Sequence, residues 1–365
     1  MSKNRNFGLD LLRCIAILLV IIQHARHLVP SKFHDEIMKL KGGFYGVEIF
    51  FVLSGFLIGS IFIKNVYKEG GISLSLIKNF WIRRWFRTLP NYYLAIIIHL
   101  ITMLFFFGNI GGFDFSYLFF MQNFGWVYPK FFAASWSLAV EEWFYLFLPI
   151  LCFVGARIMK IKSLLHLLVG AILFFTMLRF LFAFQYPELS FAPGLRNIVV
   201  LRLDSIMFGV VLAYFYYRRH SYFERKQVLF FLLGVVFIVV SYFMIEHESE
   251  SIINKVLCFS FSNLGIALCF SYFYFLKCNS PFFSLVIEKV SISSYSMYLY
   301  HQIPILLLFQ KYWSATSIFE ISLRYLVYWL LVFCVSYLVY VLYESPITSF
   351  RNRLSDKESK SLIEN

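Results

Sequence analysis

The residues best suited to chemistry in this chain are ionisable groups set inside apolar runs. Arg13 and His24 lie in FGLDLLRCIAILLVIIQHARHLV, a stretch apolar enough to enter a bilayer. Ionisable side chains are costly there, so each marks a functional site by default. At about 100° and 1.5 Å per helical residue, their spacing puts them roughly 20° apart around the axis and about 16 Å apart along it. One helix face then presents a cation near one side of the membrane and an imidazole about three turns deeper. That layout suits a long anionic molecule lying along the helix. Histidine fits general-base work because its ordinary pKa lies near operating pH, and Gln23, Arg26 and His27 make this end wet. The plainer reading of His24 is a satisfied core or interfacial imidazole.

A second cluster is FWIRRWFRTLP. Arg84 and Arg87 are three apart and point the same way on a helix, and arginine forks bind phosphate bidentately. The competing reading is a positive-inside anchor with Trp81 and Trp85 as interfacial aromatics. Pro90 is expected to start the next span. In SWSLAVEEWFY, Glu141 and Glu142 are adjacent, so about 100° separates them and only one is expected to face a given cavity. Such a carboxylate could orient an imidazole or pair with an intramembrane arginine. Glu48, Arg202, Asp204, His301 and Glu344 are further intramembrane polar candidates, and Arg179 and His99 also fall within spans. Their number argues for a polar interior cavity. A channel would more naturally use symmetric pore rings or filter backbone.

The elements that must position these groups are membrane helices. Of 365 residues, 60% are hydrophobic and only 15% charged, against about 25% charged in soluble domains, and mean hydropathy is +0.72. Apolar runs long enough to cross a core of about 30 Å recur. The expected fold is an all-α, polytopic integral membrane protein. About ten spans, near 8–28, 43–63, 90–108, 136–155, 164–184, 197–217, 227–245, 252–276, 293–310 and 321–343, surround a polar cavity. The fourth, with its paired glutamates and a proline, is expected to be tilted or partly re-entrant. Residues 1–350 form the transmembrane domain and 351–365 a polar tail. The first span has no small-x-small cleavage site and reads as retained.

The net charge of +13 sits mostly in loops that set orientation, not in a nucleic-acid surface. Lys64, Lys68, Lys78, Arg83, Arg84 and Arg87 fall on one side, as do Arg157, Lys160 and Lys162, then Arg218, Arg219, Arg225 and Lys226, and the tail. The acidic IEHESES falls opposite, while Lys32, Lys39 and Lys41 are an exception. The bias predicts both termini in the cytoplasm of a multi-pass inner or plasma membrane protein. The six cysteines show no metal spacing, and no metal is expected.

In order along the chain, Arg13 to His24, GVEIFFVLSGFLIG, RRWFRTLP, SWSLAVEEWFY, RLDSIMFGVVLAY, SMYLYHQIP and YESP resemble the membrane-bound acyltransferase-3 family in its stand-alone form. The likeness runs from Phe7 to Pro346. It implies transfer of an acyl group, usually acetyl from acetyl-coenzyme A, to a hydroxyl of an envelope or extracellular glycan such as lipopolysaccharide O-antigen. Partners implied are acyl-coenzyme A, a carbohydrate or glycolipid acceptor, and the bilayer. By position, the family's essential arginine and histidine fall on Arg13 and His24, its R-x-x-R pair on Arg84 and Arg87, and an acid on Glu141. Trp143 stands where many relatives have glutamine. The resemblance implies phosphates of the donor at Arg84, Arg87 and Arg13, its pantetheine arm along the first helix, and His24 as base or acyl carrier. Glu141 or Asp204 would hold the imidazole tautomer. The alternative is a proton-coupled transporter of a small acid or sugar, which needs ionisable groups at midplane but no phosphate clamp at the membrane face.

Overall fold

The computed structural model describes residues 5–68, 70–126, 131–157 and 163–350. Lys130, Lys160, Lys162 and the tail 351–365 lie outside the described residues. Among those described, ten helices of nineteen residues or more carry the fold: α1 Phe7–Ala25, α2 Gly42–Lys68, α3 Leu74–Thr102, α4 Ser135–Arg157, α5 Leu164–Gln185, α6 Leu203–Arg225, α7 Gln227–Glu246, α8 Ile252–Phe275, α9 Pro281–Tyr300 and α10 Ile318–Val339. No strand occurs among the described residues. The protein is an all-α polytopic membrane protein. Eight helical segments are long and apolar enough to cross a membrane. Helices α6 and α9 fall short because α6 ends in a cationic stretch with Arg218, Arg219 and Arg225, and α9 carries Glu288, Lys289 and a run of serines.

Three element boundaries differ from the sequence expectation. Pro90 lies inside α3 rather than starting it. The helix begins earlier because Ser73 caps it, its hydroxyl accepting from Leu76 N–H at 3.1 Å. Proline removes one backbone donor, and in the turn before it Thr88 Oγ1 donates to the Arg84 carbonyl at 3.3 Å. The fourth expected span is one continuous helix, α4, with Pro149 inside it. The span expected from 197 becomes helical only at Leu203. Its lead-in bonds a loop instead, with Val199 and Val200 N–H donating to the Asn123 and Phe124 carbonyls at 2.9 and 3.2 Å.

Without a hydrophobic force between helices in lipid, close backbone approach at small residues drives packing. Helices α2 and α6 meet through Gly55 and Gly209. A Cβ on Gly55 would stand 2.0 Å from the Ile206 carbonyl oxygen, and one on Gly209 2.1 Å from that of Val52. Two fully buried ion pairs lie in the same region. Arg202 donates to both oxygens of Glu48 at 2.6 and 2.7 Å, and Arg179 to both of Asp204 at 2.9 and 2.8 Å. Each is further satisfied: Asn263 bonds Glu48 at 3.0 Å, and Thr176 bonds Asp204 at 3.2 Å. A buried charge is tolerated only when paired and hydrogen-bonded in this way.

Candidate active site

Helices α1, α2, α3, α4 and α9 line a partly open cavity. Its walls bring together Arg13, Arg84, Arg87, Glu141 and Glu142. Arg13 comes from α1, where its N–H donates to Asp10 at 3.4 Å one turn earlier. Asp10 also accepts from Arg5 and, at 2.6 Å, from Ser291. Arg84 and Arg87 share the inner face of α3, as their spacing requires. Both glutamates line the cavity, contrary to the expectation that only one would. The space wraps around α4 broadly enough to reach two side chains about 100° apart.

One residue that sequence reasoning passed over organises this wall. The Tyr145 hydroxyl donates to Glu141 at 2.5 Å and accepts from Arg84 at 2.5 Å, with Ser54 Oγ at 2.6 Å. The guanidinium carbon of Arg84 sits 4.1 Å from the Tyr145 ring centroid, a cation–π arrangement. Tyr145 is one turn from Glu141 on α4, and that i,i+4 spacing was the available signal. Arg84 is thus held in place by a phenol, with the Glu141 carboxylate at 4.0 Å. Glu142 is 6% exposed, and its Oε2 has no hydrogen-bond partner among the described residues. A cavity with three arginines and two carboxylates can hold a molecule bearing both phosphates and N–H or O–H donors.

His24 is not on the cavity wall. Tyr298 is, and its ring lies 5.9 Å from that of His301, whose ring meets that of His24 edge to edge, with centroids 5.0 Å apart and planes at 18°. The groove along α1 expected to join Arg13 to His24 therefore ends at Tyr298, one ring short of the histidine pair. Nδ1 of His24 lies 2.8 Å from Nε2 of His301. Nδ1 of His301 lies 3.0 and 2.9 Å from the carbonyl oxygens of Met297 and Tyr298.

This chain of contacts assigns the hydrogens. A carbonyl only accepts, so Nδ1 of His301 carries a proton, and with that ring neutral its Nε2 is an acceptor. Nδ1 of His24 must then be the donor, which leaves Nε2 of His24 with its lone pair available. The local sequence explains the carbonyls. Pro304 has no N–H and favours extended backbone before it, and Ile303 is extended at φ −120° and ψ 125°. Helix α9 therefore stops at Tyr300, and the His301 backbone N–H caps it by donating to the Met297 carbonyl, which keeps a second lone pair for Nδ1. His301 is fully buried against that end.

The remaining candidates are placed elsewhere. Asp204 is bound by Arg179, so the imidazole is held by His301 and not by Asp204 or Glu141. Glu48 and Arg202 hold each other. Glu344 accepts from Asn91 at 3.2 Å and Ser296 at 3.1 Å, beside a polar cavity that Arg13 and Arg87 also line. Among the described residues no group of three His, Cys, Asp or Glu side chains stands together to hold a metal.

An all-α membrane protein with a cationic interior cavity and a partly buried, oriented imidazole is the class these features define. The chain belongs to the acyltransferase-3 family: the family model described as an acyltransferase domain matches residues 6–344. The description of that family model as an acyltransferase domain weighs against the transporter reading. The peptidoglycan O-acetyltransferase OatA of Listeria monocytogenes is 33% identical over 179 residues, 45% of this chain and 27% of that protein. A Bacillus subtilis protein named "Putative peptidoglycan O-acetyltransferase YrhL" is 36% identical over 171 residues, 43% of this chain and 25% of that one. The aligned region spans about a quarter of the length of these curated relatives. No solved structure matches the chain significantly.

Proposed function

We propose that the chain moves an acetyl group from acetyl-coenzyme A to a hydroxyl of an envelope glycan, with His24 as the base. The observation that carries this reading is the hydrogen-bond chain from the Met297 and Tyr298 carbonyls through His301 to His24. It leaves Nε2 of His24 as the acceptor of a proton. The hydroxyl proton passes to Nε2 as the hydroxyl oxygen forms its bond to the thioester carbon. The carbon–sulfur bond breaks, and the departing thiolate takes the proton back from the imidazolium. Arg13, Arg84 and Arg87 bind the donor's phosphates. The unpartnered Oε2 of Glu142 accepts from an N–H or O–H of the donor.

The cationic loops support a donor arriving from the cytoplasm, with both termini on that side of an inner or plasma membrane. The names of the two relatives favour peptidoglycan over lipopolysaccharide as the acceptor, and a polymeric carbohydrate over a free glycolipid. The test is binding and transfer of labelled acetyl-coenzyme A by purified wild-type and His24→Ala protein. Binding by both, with transfer by the wild type alone, is the expected result. Label held covalently by the wild type would mean that His24 carries the acetyl group itself. Substantial transfer by His24→Ala would remove the histidine from the mechanism, and binding by neither would remove the donor.

A further inference from the structure

A second chamber adjoins the inner cavity, and its chemistry is not used by the reading above. It is the groove between the last three turns of α2 and the first half of α3. Asn65 and Lys68 line it from α2, and Asn79, Arg83, Arg84 and Arg87 from α3. No carboxylate lines it among the described residues. Asn79, Arg83 and Arg87 recur every four residues, so they form one ridge along α3. Arg84 and Arg87 line both chambers, so the two spaces meet at that pair. Lys68 and Arg83 are exposed at the far side, where a solute would enter.

Beyond Arg84 and Arg87, which the inner cavity shares, Lys68 and Arg83 with Asn65 and Asn79 leave two further cations that suit a dianionic phosphate better than a single-charge diester. We propose that this outer chamber binds the 3′-phosphate of the donor's adenosine, with Lys68 and Arg83 as its contacts. The diphosphate then lies at Arg84 and Arg87, and the pantetheine arm enters the inner cavity. This rests on acetyl-coenzyme A being the donor, and it names the part of that molecule which the protein recognises. It makes the enzyme selective for coenzyme A thioesters over thioesters of pantetheine or phosphopantetheine.

The test compares acetyl-coenzyme A with acetyl-3′-dephospho-coenzyme A in the wild type and in Lys68→Ala/Arg83→Ala. Loss of charge-assisted contacts to the phosphate should raise the wild-type KM about tenfold or more for the dephospho donor. The double variant should shrink that difference to about twofold or less. Equal use of both donors by the wild type would overturn the assignment while leaving the acetyl-coenzyme A reading intact. A variant that weakened both donors in proportion would overturn it too, since the pair would then shape the fold and not the phosphate site. No binding of either donor would sink both readings together. An anionic lipid headgroup presents similar chemistry. Vesicles of phosphatidylcholine with and without phosphatidylglycerol separate it: a charge pair serving lipid would change lipid binding and leave donor preference untouched.

Discussion

Replacing His301 tests the hydrogen-bond chain most directly, because two substitutions of opposite character give opposite expectations. In His301→Gln the amide oxygen stands near the position of Nε2 and still accepts from Nδ1–H of His24. In His301→Phe the ring shape is kept and the acceptor is lost. The wild-type contact is 2.8 Å long and His301 is fully buried. Without the acceptor, the Nδ1–H of His24 is left unpaired, which costs about 1–3 kcal/mol, and the imidazole is free to change tautomer. At about 1.4 kcal/mol per tenfold, that corresponds to a fall in kcat of roughly 5- to 150-fold. His301→Gln should retain most of the rate. KM for the donor should change little in both, since His301 does not line the arginine cavity. The assay is steady-state transfer of labelled acetyl by purified, detergent-solubilised enzyme, with thermal unfolding as the check on folding. If His301→Phe kept more activity than His301→Gln, shape and not proton placement would be what His301 supplies.

Arg84→Lys should raise KM for the donor about tenfold, because a lysine has no planar fork to bind phosphate while resting on the Tyr145 ring; donor titration at two salt concentrations checks it. Glu48→Gln should lower stability by about 3–5 kcal/mol by leaving Arg202 unpaired, and Glu48→Gln/Arg202→Met should recover part of the loss, read as the unfolding midpoint in detergent. Gly55→Ala should cost about 1–3 kcal/mol through overpacking against the Ile206 carbonyl, with donor affinity unchanged in whatever fraction remains folded.

Helix faces are local properties, so much of the site's raw material is legible along the chain. The pairing of Arg84 with Arg87 follows from spacing of three, and the apolar runs follow from composition. A membrane penalises each buried charge, which is why Glu48, Arg202, Asp204 and His301 stand out from the sequence as residues needing a partner. The partners themselves are not legible. Glu48 meets Arg202 from 154 residues away, and His24 meets His301 from 277 away. Sequence spacing says which way a side chain points from its own axis but not which helix stands opposite. That choice is made by close-packed contacts such as Gly55 on Gly209. Tertiary packing alone therefore separates the charges that hold the bundle together, Glu48–Arg202 and Arg179–Asp204, from those that face the cavity. It also decides that the orienter of His24 is a second histidine at a proline-broken helix end. The sequence by itself determines the membrane helices and the kinds of group inside them; the fold decides which of those groups meet, because their contacts span chain separations that no local periodicity encodes.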